Sequence, residues 1–281
     1  MATQLKNIVA DMRSLAPFPT VATSVLALAS NEDTVPEDLV TLIQTDPGLT
    51  GKVLKLCNSA YYGFQREIAS LHEAGNMLGV RTLTNLVLTS SAGNYFQDHG
   101  KATGTSQYNL WEQCVTNAIA ARLIARHHRR TDPERAYTAG LLQNVGHLVL
   151  DRFYGDETAQ VQDQMANGSS RLQAEKSVIG MHHAEIGARL SSRWMLPDVL
   201  VDTIRYHHEP QNAENDPALA GTIHLAEALA RAACGDEDAS RIVYEISDAA
   251  YELTDLCAGD LAELDTELAS EMQKARDLVG I

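Results

Sequence analysis

Apolar residues recur at spacings of three and four along almost the whole chain, with polar residues between them. This period is typical of α-helices that bury one face, whereas the alternation expected of strands is scarce. We therefore predict an all-α protein with a two-lobed, multi-helix architecture. The pattern places helices at residues 2–14, 20–30, 35–45, 47–58, 70–78, 80–98, 106–128, 133–153, 157–166, 171–179, 182–195, 197–208 and 217–233, with two or three acidic helices after them.

Two changes in composition divide the chain into three regions. A polar, glycine-bearing stretch from Gln97 to Ser106 predicts a linker, and the composition changes again near Gly235. We therefore predict an N-terminal helical lobe at 1–98, a second helical lobe at 99–235, and acidic C-terminal helices at 236–281 that pack on the second lobe.

The size and composition indicate a folded protein of the cytoplasm. The chain has 281 residues, of which 44% are hydrophobic, enough for one large domain or two smaller ones. It contains no apolar run long enough to span a membrane and does not begin with an export signal. Its four cysteines include no C-x-x-C pair, which fits reduced thiols. We expect no membrane partner.

The charge argues against a general nucleic-acid binder. The formal net charge is -15, and the last 47 residues hold thirteen acidic against three basic residues. Binding to phosphates needs clustered Lys and Arg, and the one dense basic cluster contains Arg126, Arg129 and Arg130. Because this cluster ends a helical pattern, its cations could simply complement the helix dipole. A phosphate site at these arginines is the alternative.

Three polar residues interrupt the apolar run AGLLQNVGHLVL at 139–150. If this run is one helix, Gln143, Asn144 and His147 share a stripe with Gly140 and Asp151. That stripe either faces water or lines a cleft.

Two histidine doublets bound a predicted helical hairpin. His182 and His183 open one helix, and His207 and His208 close the next. An antiparallel hairpin brings these ends together, so the imidazoles could supply two or three nitrogen ligands to one metal ion. Histidines at helix ends also occur as solvated residues, caps or dipole partners, and spacing alone leaves both interpretations open.

Several motifs together resemble the HDOD family, the HD-related output domain of bacterial signalling proteins. The resemblance extends over roughly residues 15 to 230. It rests mainly on DPGL at 46–49, NSAYYG at 58–63, HAEIG at 183–187 and YHHEP at 206–210. The first two motifs are fairly specific to the family, and the later ones are shared with the wider HD phosphohydrolase superfamily.

The resemblance implies that the metal site of HD enzymes is degenerate here. In metal-dependent relatives, adjacent His and Asp residues occupy the positions of Gln143 and Asn144, and another histidine occupies that of Gln113. An aspartate near the end of the domain corresponds to Glu227. Because amides replace two imidazoles and a carboxylate, hydrolysis by the usual HD mechanism is not expected. We expect Gln113, Gln143, Asn144 and His183 to form a metal-free hydrogen-bond network.

We therefore predict a non-catalytic signalling module, with no catalytic residue and no required cofactor, that binds a separate signalling protein or a small ligand. The alternative is a metal-dependent phosphohydrolase whose rearranged site holds a divalent metal on His183, His207, His208 and Glu227. A nucleic-acid regulator is a second rival. Asn58, Tyr61 and Tyr62 form either a helix cap with packing aromatics or an inter-lobe or partner surface.

Overall fold

The N-terminal part of the chain folds into five helices: α1 (Ala2–Ser14), α2 (Thr20–Ala29), α3 (Pro36–Ile43), α4 (Pro47–Cys57) and α5 (Leu71–His99). This computed structural model describes residues 2–99, 110–233 and 246–279. Both α3 and α4 begin at a proline, where the missing N–H has no cost. The carboxylate of Asp46 also accepts a hydrogen bond from the Leu49 N–H. These local signals fix the helix starts.

Helix α5 is kinked at Gly79, where two separate helices were predicted to meet. Gly79 has a φ of 75°, in the left-handed region that glycine adopts without strain. The kink changes the direction of the chain just before Val80 and Arg81, so the second half of α5 packs against the helices that follow.

The larger part of the chain contains eight α-helices and one short 3-10 helix among residues 110–233. Three more helices lie at 248–279. In order they are α6 (Leu110–His128), α7 (Pro133–Leu142), α8 (His147–Phe153), α9 (Gly155–Ala166), α10 (Arg171–Val178), α11 (His183–Arg193), α12 (Asp198–Tyr206), the 3-10 helix Pro210–Asn212, α13 (Pro217–Ala233), α14 (Asp248–Thr254), α15 (Ala258–Lys274) and α16 (Arg276–Val279). The described residues contain no β-strand, and the predicted all-α fold class is confirmed.

The single helix predicted at 133–153 is wrong. Helix α7 ends at Leu142, a turn covers 143–146, and α8 begins at His147. The reason is a close backbone contact: a Cβ atom on Gly146 would lie 1.9 Å from the carbonyl oxygen of His183. Only glycine allows the turn to approach the start of α11 so closely.

Helix α6 is the centre of the hydrophobic core. Its residues from Cys114 to Ala125 are buried without interruption, as expected of a helix surrounded by other helices. Helices α7, α13 and α15 pack around it, and α5 packs against α7. Buried apolar residues of the N-terminal helices and of the later helices form one continuous cluster.

The acidic C-terminal helices pack on this core: α14 contacts α13, and α15 contacts both α13 and α6. Most of the predicted linker, at 100–106, and the composition change near Gly235 lie outside the described residues, so the three-region division stays a prediction. No helix in the described part of the chain combines the length and apolar character needed to span a membrane.

Candidate functional site

Four side chains lie close together: His183 at the start of α11, His207 and His208 just after α12, and Glu227 in α13. The Nε2 atoms of His183 and His208 are 2.9 Å apart. The Oε2 atom of Glu227 lies 3.8 Å from Nε2 of His207 and 3.8 Å from Nε2 of His208. The side chains are at most 12% exposed. The structure thus brings together all four residues that the sequence suggested as metal ligands, and we call them the histidine cluster.

Hydrogen bonds outside the histidine cluster fix the orientation of two rings. The Nδ1 atom of His183 lies 2.7 Å from Oε2 of Glu175, and Nδ1 of His207 lies 2.7 Å from the carbonyl oxygen of Ile204. Both acceptors require a proton on Nδ1, which leaves the Nε2 lone pairs pointing into the cluster. No described residue forms a hydrogen bond with Nε2 of His207.

Burial sets the charge of the histidine cluster. It lowers the pKa values of His183, His207 and His208, and the neighbouring imidazoles lower those of His183 and His208 further. Burial alone would raise the pKa of Glu227, but His207 and Arg231 hold it below its usual value. At neutral pH the cluster therefore contains neutral imidazoles and one carboxylate.

These residues fit a divalent transition metal. Ligand nitrogens of His183, His207 and His208 all lie within 4.8 Å of one another, and Nε2 of His207 is a buried acceptor that receives no hydrogen bond from any described residue. With the carboxylate of Glu227 they form a nitrogen and oxygen donor set of the kind that holds Zn²⁺, Mn²⁺ or Fe²⁺. A cation bound there would supply Lewis-acid chemistry.

The amide positions are also buried, but they do not form the predicted network. Gln143 and Asn144 are 0% and 1% exposed in the turn between α7 and α8, so the solvent-facing alternative is wrong as well. Neither amide atom of Gln143 nor Oδ1 of Asn144 has a hydrogen-bond partner among the described residues. Gln113 lies half-buried on α6 and forms no hydrogen bond with either amide atom of Gln143 or with Oδ1 of Asn144. His183 instead bonds to Glu175 and His208.

Two further residues belong to the site. The ring of His147 stacks on that of His183 at a centroid distance of 4.4 Å, and ligand atoms of His147, Glu175 and His183 lie within 4.8 Å of one another. His147 was visible in the sequence as a polar residue in an apolar run. Nothing in the sequence indicated Glu175 as a site residue, because it lies in the mostly polar helix α10. It contacts His183 only because the chain turns between α10 and α11.

The motif residues Asn58, Tyr61 and Tyr62 make internal contacts. The Asn58 side chain donates to the Ile68 carbonyl and accepts from the Ile68 N–H, which closes the loop between them. The Tyr61 hydroxyl accepts a hydrogen bond of 3.0 Å from Arg122 of α6. The rings of Tyr61 and Tyr62 pack edge to face. Asn58 caps α4 and Tyr61 links the loop after α4 to α6, while a partner surface at these residues stays a proposal.

Comparison with known proteins supplies a family and several relatives. The model of the HDOD domain family matches residues 15–210. An uncharacterized protein of Treponema pallidum (strain Nichols) is 30% identical over 235 residues, which cover 82% of this chain and 45% of that protein. The chain thus spans less than half the length of this relative.

Solved structures share the fold over nearly the full length of the chain. An HDOD domain protein of unknown function from Geobacter sulfurreducens has 25% sequence identity and a TM-score of 0.77, with 98% of each chain covered. A protein of Shewanella amazonensis SB2B, called a "Putative phosphohydrolase", has 27% identity and a TM-score of 0.75, with 96% of this chain and 97% of that chain covered.

Proposed function

The chain belongs to the HDOD family, and from that premise we propose that it is a non-catalytic signal-transduction module of bacteria, which binds a separate signalling protein or a small ligand. The fold alone does not decide between recognition and hydrolysis, since one fold supports many functions. The proposal therefore depends on the residues of the histidine cluster and of the adjoining turn.

The observation that carries the proposal is the pair of buried amides at Gln143 and Asn144. Metal-dependent HD enzymes have an adjacent imidazole and carboxylate at these positions. An amide carbonyl is only a dipole, so it cannot replace the anionic oxygen that holds a divalent cation and helps to polarise its water. The closed environment of the histidine cluster supports the same conclusion, because a phosphoester would have to reach side chains that are at most 12% exposed.

A rearranged metal-dependent phosphohydrolase is the second candidate. It is favoured by the convergence of His183, His207, His208 and Glu227, which offers a donor set without the two amide positions. These residues would hold the cation, and Glu175 would keep the imidazole of His183 in the required tautomer.

Metal analysis combined with phosphoesterase assays separates the two functions. Protein purified without chelator is analysed for bound metal and assayed on nucleotide and cyclic-dinucleotide phosphoesters with added Mn²⁺, Fe²⁺ or Zn²⁺. We expect no turnover above the background without protein. Turnover that disappears in His183→Ala but persists in His72→Ala, a variant of an exposed histidine on α5, would establish the hydrolase instead.

We also propose that the protein acts in the cytoplasm without binding nucleic acid or membranes. The three described cysteines are all free thiols. In the basic cluster, Arg130 forms an ion pair of 3.0 Å with Asp255, which reduces the charge available to phosphates. Salt-dependent binding of DNA or RNA that is lost in Arg126→Ala or Arg129→Ala would contradict this part of the proposal.

A further inference from the structure

A cavity of about 510 Å³ lies between the N-terminal helices and the later ones, separate from the histidine cluster. Its walls come from the end of α2 and the following loop, α5 beyond the kink at Gly79, and the first turns of α7 and α12. None of the four residues of the histidine cluster lines it. A cavity of this size, between two packed parts of a chain, is typical of small-molecule sites.

The cavity contains an acceptor that the protein leaves unused. Glu134 lines it, and Oε2 of this residue accepts hydrogen bonds of 2.6 Å from Arg122 and 2.9 Å from Asn85. The second carboxylate oxygen, Oε1, has no hydrogen-bond partner among the described residues. Because Arg122 and Asn85 hold the carboxylate in place, Oε1 is a preorganised acceptor for a ligand donor.

The other charges around the cavity leave it negative. Three ion pairs neutralise most of its charges: Glu134 is paired with Arg122, Arg81 with Asp132, and Arg135 with Asp216 at 3.7 Å. Glu32, exposed in the loop after α2, has no ion pair with a described residue. The net charge of -15 adds to this local potential. The N-terminus of α12, which carries the partial positive charge of the helix dipole, also lies at the cavity. The carboxylate of Asp198 in the first turn of α12 offsets this charge.

Part of the remaining wall is apolar, and the rest carries hydroxyl and amide side chains such as Ser30, Asn31 and Thr84. Leu26, Val80 and Leu200 line the cavity, together with Pro197 and Val199 at the start of α12. We propose that this cavity binds a small organic cation, an amine or guanidine with an apolar body, whose charged group donates to Oε1 of Glu134 while the body packs on these apolar residues. The site is independent of the histidine cluster, so the inference holds whether or not the cluster binds a metal.

Three probes that share a phenylethyl body and differ in the charge of the head group test the charge preference. Titration calorimetry on the full chain compares phenylethylammonium with neutral 2-phenylethanol and with anionic 3-phenylpropionate. We expect the cation to bind about tenfold or more tightly than either analogue, because only its donor is itself charged, whereas the alcohol offers a neutral O–H and the anion offers no donor to Glu134. Equal or tighter binding of the alcohol or the anion, or no binding by any probe, would overturn the proposal.

Two variants on one helix locate the binding site. Ala29 lines the cavity at the end of α2, and Ala29→Phe places a ring in it, whereas Ala27→Phe changes an exposed residue outside the lining. We expect Ala29→Phe to abolish binding of phenylethylammonium and Ala27→Phe to leave it unchanged. Glu32→Gln should weaken binding a few-fold and in a salt-dependent manner, because it removes a screened charge near the site. Binding that survives Ala29→Phe would show that the cation lies elsewhere.

Discussion

At the scale of single residues, Asn144 places a neutral amide in the buried turn between α7 and α8, where an aspartate would place a negative charge. Asn144 is 1% exposed, and its Oδ1 has no hydrogen-bond partner among the described residues. A carboxylate at this position would be equally buried, and its Oδ1 atom would have no hydrogen-bond donor among the described residues. Such a charge is unfavourable unless it is neutralised or bound to a metal.

We therefore predict that Asn144→Asp lowers the free energy of unfolding by about 3 kcal/mol at pH 7.5 in the presence of chelator. Urea denaturation provides the measurement, and Asn76→Asp, at an exposed position on α5, is the matched control. Added Mn²⁺ or Zn²⁺ should raise the melting temperature of Asn144→Asp more than that of the parent, because the carboxylate is an additional ligand. Equal stability of the two aspartate variants would contradict the prediction.

The residues of the histidine cluster were partly predictable from the sequence. The two doublets bound a helical hairpin, and the antiparallel packing of α11 and α12 makes His183, His207 and His208 converge. Glu175 was not predictable, because its contact with His183 depends on how α10 turns into α11 and not on any spacing within one helix. Tertiary contacts of this kind have no periodic signal in one sequence.

At the scale of helices and turns, Gly146 links the amide turn to the start of α11. A Cβ atom there would lie 1.9 Å from the His183 carbonyl oxygen and 2.9 Å from the Gly187 nitrogen. We predict that Gly146→Ala destabilises the protein by about 3 kcal/mol or more, because backbone atoms would have to move apart. Thermal denaturation tests this against Gly51→Ala in α4, where a Cβ has no neighbour within 4 Å.

The control substitution should behave in the opposite way. Alanine is favoured over glycine within a helix by about 1 kcal/mol, so Gly51→Ala should leave the melting temperature unchanged or raise it. If Gly146→Ala were as stable as Gly51→Ala, the close contact between the turn and α11 would be refuted.

A second prediction at this scale concerns the contact between α6 and α13. Nε2 of His128 lies 2.8 Å from the Thr222 hydroxyl, and Nδ1 accepts a hydrogen bond from the Arg130 N–H. Burial and the charge of Arg130 lower the pKa of His128 to about 4 from 6.5. The folded protein therefore keeps His128 neutral at a pH where the unfolded chain protonates it.

The free energy of unfolding should consequently fall as the pH drops from 6.5 towards 4, since the unfolded state binds more protons in this window. Above pH 6.5 the full contribution of His128 to the free energy of unfolding is present, because His128 is then neutral in both states. His128→Gln should flatten the profile measured by urea denaturation, whereas His72→Gln, at an exposed site, should leave it unchanged. Other buried histidines add to the total slope, so the difference between variant and parent is the decisive quantity. An identical slope in His128→Gln would exclude the proposed role.

Helix positions were largely predictable because capping residues, prolines and the apolar period agree along most of the chain. The prediction for 217–233 matches α13 at both ends, and the boundary at residue 79 corresponds to the kink in α5. The break at 143–146 was not predicted, because the apolar run continues through it and only a tertiary contact requires glycine. Long-range packing overrides the local pattern at this point.

At the scale of the whole molecule, the charges of the chain are arranged in complementary surfaces. The basic end of α6 faces the acidic C-terminal helices, where Arg130 pairs with Asp255 at 3.0 Å and His127 lies 3.7 Å from Asp260. Arg130 also donates to the Leu253 carbonyl. The acidic segment thus compensates the one dense basic cluster, although each exposed pair contributes little on its own.

Arg122 joins the two parts of the chain through a buried charge. Its side chain is 3% exposed, and it bonds to Glu134 at 2.6 Å and to the Tyr61 hydroxyl at 3.0 Å. The guanidinium carbon also lies 4.1 Å from the centre of the Tyr137 ring, a favourable cation–π distance. Tyr61 lies in the loop between α4 and α5, whereas the other partners come from α7, so one side chain connects these two parts of the chain, and its partner Glu134 lines the cavity.

We predict that Arg122→Met lowers the free energy of unfolding by about 3 kcal/mol, because the carboxylate of Glu134 loses its main partner. Arg126→Met, one turn further along α6 and exposed, should change it by less than about 0.5 kcal/mol. Tyr61→Phe should cost about 1.5–3 kcal/mol, the usual contribution of a hydrogen bond to a charged group. A double-mutant cycle between Arg122→Met and Tyr61→Phe, measured by urea denaturation, should then give a coupling energy of about 1 kcal/mol. Because Tyr61 lies between α4 and α5 and Arg122 lies on α6, that coupling measures a direct link between two distant parts of the chain, and a value near zero would mean that this hydrogen bond adds no stability.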